Sequence, residues 1–246
     1  MLPDSVACWH LAPDAIGQAD LDNAYDHILC PDERARCDKI PDAVHRRFYL
    51  CGRSLARLAL SHAAKIDRIS WRFGIAAGGK PAIFAPPGLP FRFNLSHTNG
   101  LVVCAVVVEC EIGIDVEQLD RPGNLLGLAE RVLAAGELED LRACPADEQR
   151  GRFLEYWTLK EAYLKARGIG LSVAPRQLAF SLGPRIRLNT GATRATEEGD
   201  WEFIRIRPTE KHIVAIAVDR RRPNAESLPI QVIVHDGIGA LEPDLH

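Results

Sequence analysis

The 246-residue chain has no apolar run near the roughly 20 residues that a membrane helix needs; "LVVCAVVV" at 101–108 has the length of a buried strand instead. The N-terminus "MLPDSVACWH" lacks a basic region followed by an apolar core, so no secretory signal is read there. CxxC pairs are absent as well. The seven cysteines, Cys8, Cys30, Cys37, Cys51, Cys104, Cys110 and Cys144, are odd in number and scattered. They read as reduced thiols, which excludes a disulfide framework or zinc site and points to a cytoplasmic protein. Excess charge of one sign is missing too: the net charge of −3 gives no ground for non-specific attraction to nucleic acid or an anionic membrane. Neither a Walker loop nor GxGxxG occurs, so bound phosphates would be held by side chains and metal, not by a glycine cradle.

What is present is ample apolar material, 47% of residues against 26% charged, enough for one large domain or two small ones. The first 30 residues read as a short strand and a loop. From Asp42, "DAVHRRFYLCGRSLARLALSHAAKI" has helical periodicity, with Leu50, Leu55, Leu58 and Ala59 on an apolar side and Arg46, Arg47, Arg53 and Arg57 on a basic one. "AAGGKPAIFAPPGLP" is broken by Gly and Pro and predicts no regular element. "LVVCAVVV" and "IGIDVE" are separated by the short link "ECE" and predict a hairpin. "NLLGLAERVLAAGELEDLRAC" is helical by periodicity, and "GRFLEYWTLKEAYLKARGIG" is the strongest helix, stopped at Gly168. "QLAFSL", "IRLN", "WEFIRIR" and "HIVAIAV" return to strands, the last echoing "LVVCAVVV". The expectation is an α+β protein of two alike halves, 1–118 and 119–246, with residues 220–246 unplaced.

The chemistry gathers at two places. In "IGIDVEQL" alternation puts Gly113, Asp115 and Glu117 on one strand face, the carboxylates about 7 Å apart at Cα. In the strong helix Phe153, Trp157, Glu161 and Lys165 recur at i, i+4 and form one column. Taken singly, each motif reads as readily as a solvated strand face or a surface Glu–Lys pair. Together, three carboxylates are the hard-oxygen set that binds Mg²⁺, or Mn²⁺, with substrate phosphates completing the shell. Gly113, on the same face, is expected to leave room for a bulky ligand. Lys80 in "GGKP", Ser96 and His97 in "NLSH", and Arg46, Arg47 and Arg53 supply phosphate-binding groups.

The motifs "GKP" at 79–81, "FNLSH" at 93–97, "GIDVE" at 113–117 and "WTLKEAYLKARGIGL" at 157–171 resemble, in order and spacing, the 4′-phosphopantetheinyl transferases of the larger, two-halved, surfactin-synthetase-activating type. The resemblance spans about residues 30 to 175. It implies that family's fold, two similar α+β halves in pseudo-twofold arrangement. The implied reaction is transfer of 4′-phosphopantetheine from coenzyme A to a serine of an apo acyl or peptidyl carrier protein, leaving 3′,5′-ADP. It also implies Mg²⁺ on Asp115, Glu117 and Glu161, and Lys165 on the CoA pyrophosphate. Lys160, His97, Lys80 and the helix arginines would hold the rest of CoA, with Ser96 orienting its turn. The proton acceptor is left open between Glu161, Glu137 and a metal-bound water. "HRRFYLCGR" runs one residue out of step with the family pattern, so Arg46 or Arg47 takes the 3′-phosphate role.

The expected partners are coenzyme A and the carrier, with no nucleic acid and no membrane, for a monomer. Leu171 and Val173 in "GIGLSVAP" are equally readable as a carrier-docking surface or as core. Two rivals are a non-catalytic carrier- or CoA-binding protein that keeps the fold, and another Mg²⁺-dependent phosphate enzyme such as a nuclease. The acidic balance argues against the latter.

Overall fold

The computed structural model describes residues 5–76, 79–189, 200–220 and 229–241. It is α+β and divides into two compact units, Met1–Glu109 with Pro229–His246, and Cys110–Leu228. The division expected between residues 118 and 119 is thus displaced: the strand carrying Asp115 and Glu117 belongs to the second unit, and the C-terminal stretch returns to the first.

In the first unit β1 (Ser5–Leu11) is followed by α1 (Gln18–Asn23), α2 (Pro31–Asp38) and α3 (Ala43–Ala64). Two hairpins come next, β2 (Arg72–Ile75) with β3 (Pro81–Ala85), and β4 (Phe91–Thr98) with β5 (Leu101–Val108). The second unit runs β6 (Glu111–Gln118), α4 (Ala129–Val132), α5 (Ala135–Ala143), α6 (Gln149–Arg167), β7 (Ala179–Ser181), β8 (Arg187–Asn189), β9 (Trp201–Thr209) and β10 (His212–Asp219). β11 (Gln231–Asp236) then rejoins the first unit, whose sheet has the order β11-β1-β5-β4; the second unit's sheet is β6-β10-β9.

The long helices form where the periodicity predicts them. Asp42 caps α3 by accepting the His45 N–H at 2.8 Å, satisfying one of the donors that a helix start leaves open. Leu50, Leu55, Ala59 and Leu60 of α3 are buried in the first core. Helix α6 ends at Gly168 with φ 63, a left-handed residue that costs glycine little. "NLLGLAERVLAAGELEDLRAC" is two helices, not one, because Leu133 and Ala134 are extended between α4 and α5.

Three expectations are corrected. "LVVCAVVV" and "IGIDVE" do not pair with each other: β5 pairs with β1 and β4, and β6 with β10. Glu109, at φ 56, takes the chain out of β5, and the actual hairpin turn is Asn99-Gly100 with Gly100 at φ 79. "AAGGKPAIFAPPGLP" contains β3, with Pro81 as its first residue, where a strand tolerates a missing N–H. Residues 231–236 run parallel to β1, and the turn beyond buries Ala240 and Leu241. A Cβ on Gly237 would lie 2.3 Å from Leu55 Cδ1 and 2.9 Å from His10 O, so a side chain there would force this return to shift. Among the described residues no helix is long and apolar enough to cross a membrane.

Candidate active site

The second unit sets β6 against α6. Ile112, Ile114 and Val116 are buried, while Gly113, Asp115 and Glu117 alternate with them, as the strand period requires. Gly113 does not open space for a ligand. A Cβ there would stand 2.0 Å from Ala162 O and 2.4 Å from Ala166 N, so the glycine lets the backbone of α6 ride directly on the strand. That approach brings the helix column onto the carboxylates.

Lys165 Nζ lies 2.6 Å from Asp115 Oδ1 and 3.2 Å from Ile114 O. Trp157 Nε1 donates to Glu117 Oε1 at 3.0 Å, its ring stacked at 6.4 Å and 12° on Phe153, so of the expected column Phe153, Trp157, Glu161 and Lys165 it is Trp157 and Lys165 that bond to the strand's carboxylates. Arg121, unnoticed in the sequence, donates to the same Glu117 oxygen at 2.6 Å. The spacing carried no signal for it, because i, i+4 neighbours meet on a helix and Glu117 lies on a strand.

Burial, then the charge of Asp115, pushes the Glu117 carboxyl above the usual range against the pull of Arg121 and Trp157. The Glu161 carboxyl is raised for the same first reason, then by Asp115 and Glu117, with Lys165 opposing. The three carboxylates therefore feel one another. Among the described residues no three His, Cys, Asp or Glu side chains are arranged as a metal cage. Two of the carboxylates are instead turned to the cations and indole beside them. The donor set nevertheless fits Mg²⁺ in kind, since hard oxygens under mutual repulsion are what such an ion relieves.

Lys160 is not a ligand-facing group. It is fully buried; Nζ lies 2.7 Å from Glu137 Oε2, donates to Pro175 O at 3.0 Å and also reaches Leu178 O. Burial pulls its pKa down and Glu137 opposes the pull. Glu137, considered as proton acceptor, is equally enclosed: its oxygens also accept the Ala134 and Phe180 N–H groups, each at 2.7 Å. Both groups thus have partners inside the core. Val173 packs against that core, while the side chain of Leu171 lies outside the described set.

The remaining basic candidates lie in the first unit. Arg47 donates to Pro13 O at 2.9 Å and Ile16 O at 2.8 Å, pinning the loop after β1. Arg46 is exposed and reaches Ile40 O at 2.9 Å. Arg53 lies over the Tyr49 and Phe73 rings, 3.8 Å from Glu33. His97 is exposed on β4 and stacks on Phe48 at 5.1 Å, whereas Ser96, next to it, is buried; Lys80 is half-buried beside the β2–β3 turn.

Comparison with known proteins bears on this arrangement. The 4′-phosphopantetheinyl transferase superfamily model matches residues 111–217, the stretch from β6 to β10. The 4′-phosphopantetheinyl transferase HetI of Nostoc sp. is 33% identical over 221 residues, covering 89% of this chain and 89% of that protein. The 4′-phosphopantetheinyl transferase Sfp of Bacillus subtilis is 34% identical over 147 residues, 59% of this chain and 63% of its own length. A holo-(acyl-carrier-protein) synthase from Bacillus anthracis in complex with CoA (3′,5′-ADP) superposes at a TM-score of 0.38 and 22% identity, over 44% of this chain and 94% of that one.

Proposed function

Since this chain belongs to the 4′-phosphopantetheinyl transferase superfamily, we propose that it moves 4′-phosphopantetheine from coenzyme A to a serine of an apo carrier protein, with Mg²⁺, releasing 3′,5′-ADP. The observation that carries the reading is the seam of β6 and α6, where Asp115, Glu117 and Glu161 interact and Lys165 stands 2.6 Å from Asp115.

In the reaction the serine oxygen forms a bond to the phosphopantetheine phosphorus, and the bond from that phosphorus to the bridging oxygen of 3′,5′-ADP breaks. Such transfers depend on positioning and charge neutralisation more than on covalent chemistry by the enzyme. Asp115, Glu117 and Glu161 would hold Mg²⁺, which supplies charge neutralisation at the pyrophosphate. Lys165 adds an ammonium for the charge that builds on the departing oxygen. Glu161, or a water beside it, would take the serine proton. Trp157 and Arg121 keep Glu117 oriented. For the nucleotide and its 3′-phosphate, His97, Lys80 and Arg46 are the accessible basic groups, although Arg46, like Arg47, also donates to backbone carbonyls.

The test mixes the protein with CoA, Mg²⁺ and a panel of apo acyl and peptidyl carrier domains, with intact-mass detection of the added phosphopantetheine and chromatography for 3′,5′-ADP. Transfer that chelation stops and Mg²⁺ restores is expected. No mass gain on any carrier, or full turnover under chelation, refutes the reading.

A further inference from the structure

Deepening that reading and resting on it, we infer that Glu137 and Lys160 form a buried positioning pair that fixes the turn of α6 bearing Glu161, so that Lys160 supports the reaction through the fold and does not touch coenzyme A. The side chains are 1% and 0% exposed and 2.7 Å apart. Glu137 is the third residue of α5. Its carboxylate gathers the Ala134 N–H, the Phe180 N–H on β7 and the Lys160 ammonium, while Lys160 also binds the carbonyls of Pro175 and Leu178. One knot thus ties α5, α6, β7 and the 175–178 turn together. Glu161 is the next residue, and with successive helix residues about 100° apart, holding Lys160 fixes the direction of Glu161.

The first unit carries the same device without the chemistry. Glu33, third residue of α2, accepts the Cys30 N–H at 3.1 Å and takes the fully buried Arg57 of α3 at 3.2 and 2.6 Å, twenty-four residues on. Arg57 also donates to a backbone carbonyl, that of Trp71, at 3.3 Å. The next residue is Leu58, where the second unit has Glu161. A buried cation from the long helix, seated on the third-position glutamate of the short helix before it, is therefore a feature of the frame. In the second unit alone its neighbour is a carboxylate that feels Asp115 and Glu117.

The test is a rescue. Lys160→Met leaves the Glu137 carboxylate buried without its cation and should lower the melting temperature by about 10 °C, with weaker Mg²⁺ binding by calorimetry. The double variant E137Q/K160M removes both charges together. It should melt well above K160M, regain Mg²⁺ affinity within about threefold of wild type, keep the CoA dissociation constant, and recover transfer to within about tenfold. A folded double variant whose CoA affinity or transfer stays as poor as that of K160M would mean that Lys160 touches substrate, overturning the inference. A double variant no more stable than K160M would overturn it as well. If the wild type itself transfers nothing, the reading of the preceding subsection falls, and melting and CoA calorimetry still decide the pair.

Discussion

The two units run the same course: first strand, short helix, long helix, small hairpin, then two strands that complete the sheet in matching order, β1-β5-β4 and β6-β10-β9. They differ at the seam between the first strand and the long helix. In the first unit Ala7, Trp9 and Leu11 belong to the apolar core, and Trp9 meets His62 of α3 edge-on at 5.2 Å. In the second, Gly113, Asp115 and Glu117 meet Trp157 and Lys165 of α6. His62 stands five residues after Arg57 and Lys165 five after Lys160, so the aromatic contact and the ion pair occupy equivalent places. An apolar seam contributes stability by burial; a charged seam gives up part of that contribution in exchange for carboxylates under tension. The second seam can be spared for chemistry because helix, sheet and the buried Glu–cation pair already hold its frame.

The widest separation should come from exchanging the fates of Asp115 and Trp9. Asp115→Ala is expected to cut transfer by about 10²–10³-fold or more, while the melting temperature stays within a few degrees of wild type. Trp9→Ala empties a core site and should cost about 3–5 kcal/mol, a large share of a domain's margin, lowering expression and melting temperature. Calorimetric melts and initial rates on both variants check this. An Asp115→Ala protein that turns over normally would show that the two seams do not differ in function.

Next in size is removal of residues 229–246, which the first unit alone uses. The deletion strips β11 from β1, exposes the sites of Ala240 and Leu241, and leaves Arg68 without the carbonyls of Gly239 and Ala240, reached at 2.9 and 3.3 Å. A loss of at least about 3 kcal/mol is expected. Hydrogen exchange should show it as faster exchange in β1 and α3, with β6, β10 and α6 protected as before. Uniform loss across both units would mean that their stabilities are not separable.

A smaller effect is expected where Glu117 is merely oriented. Trp157→Phe removes one hydrogen bond to the Glu117 carboxylate and keeps the ring stack; Arg121→Gln removes a half-exposed cation. Each is worth about 1 kcal/mol, hence roughly a fivefold fall in transfer at limiting Mg²⁺ that excess Mg²⁺ should offset. Rates measured across an Mg²⁺ titration give the answer, and a fall that no Mg²⁺ concentration repairs would place these residues on the substrate instead.

What could be read from the chain follows the range of each interaction. Helix α6, its stop at Gly168 and the alternating carboxylates of β6 are local patterns, and they are where expected. The hairpin assigned to residues 101–117 was wrong because a short polar link looks the same whether two strands pair or part; the left-handed Glu109 and distant partners β1 and β10 decide. β11 alternates legibly, yet its partner lies at the other end of the chain. Lys160 was legible in principle: Phe153, Tyr156, Lys160 and Tyr163 fall on one buried face of α6, and a cation there needs an internal partner. Glu137 could not be named as that partner from spacing alone.

The smallest expected effect separates the seams by the sign of their pH dependence. His62 and His235 flank Trp9, His235 stacked on it at 4.3 Å and 13°, and burial holds both imidazoles below the ordinary 6.5, with Lys65 adding to the shift at His62 and His62 to that at His235. A lowered folded pKa means that the unfolded chain takes up protons first. The contribution of this seam is therefore complete above about pH 6.5 and is lost as pH falls below it. At the other seam Glu117 and Glu161 are raised above 4.5, so the folded state keeps its protons longer, and stability declines as pH rises through that region. His62→Gln with His235→Gln should flatten the melting profile between about pH 7.5 and 5.5 by about 1 °C, no more because His62 faces water. Glu161→Gln should instead flatten the decline that sets in as pH rises through about 4.5. Identical profiles for wild type and both variants would show that neither seam titrates on folding.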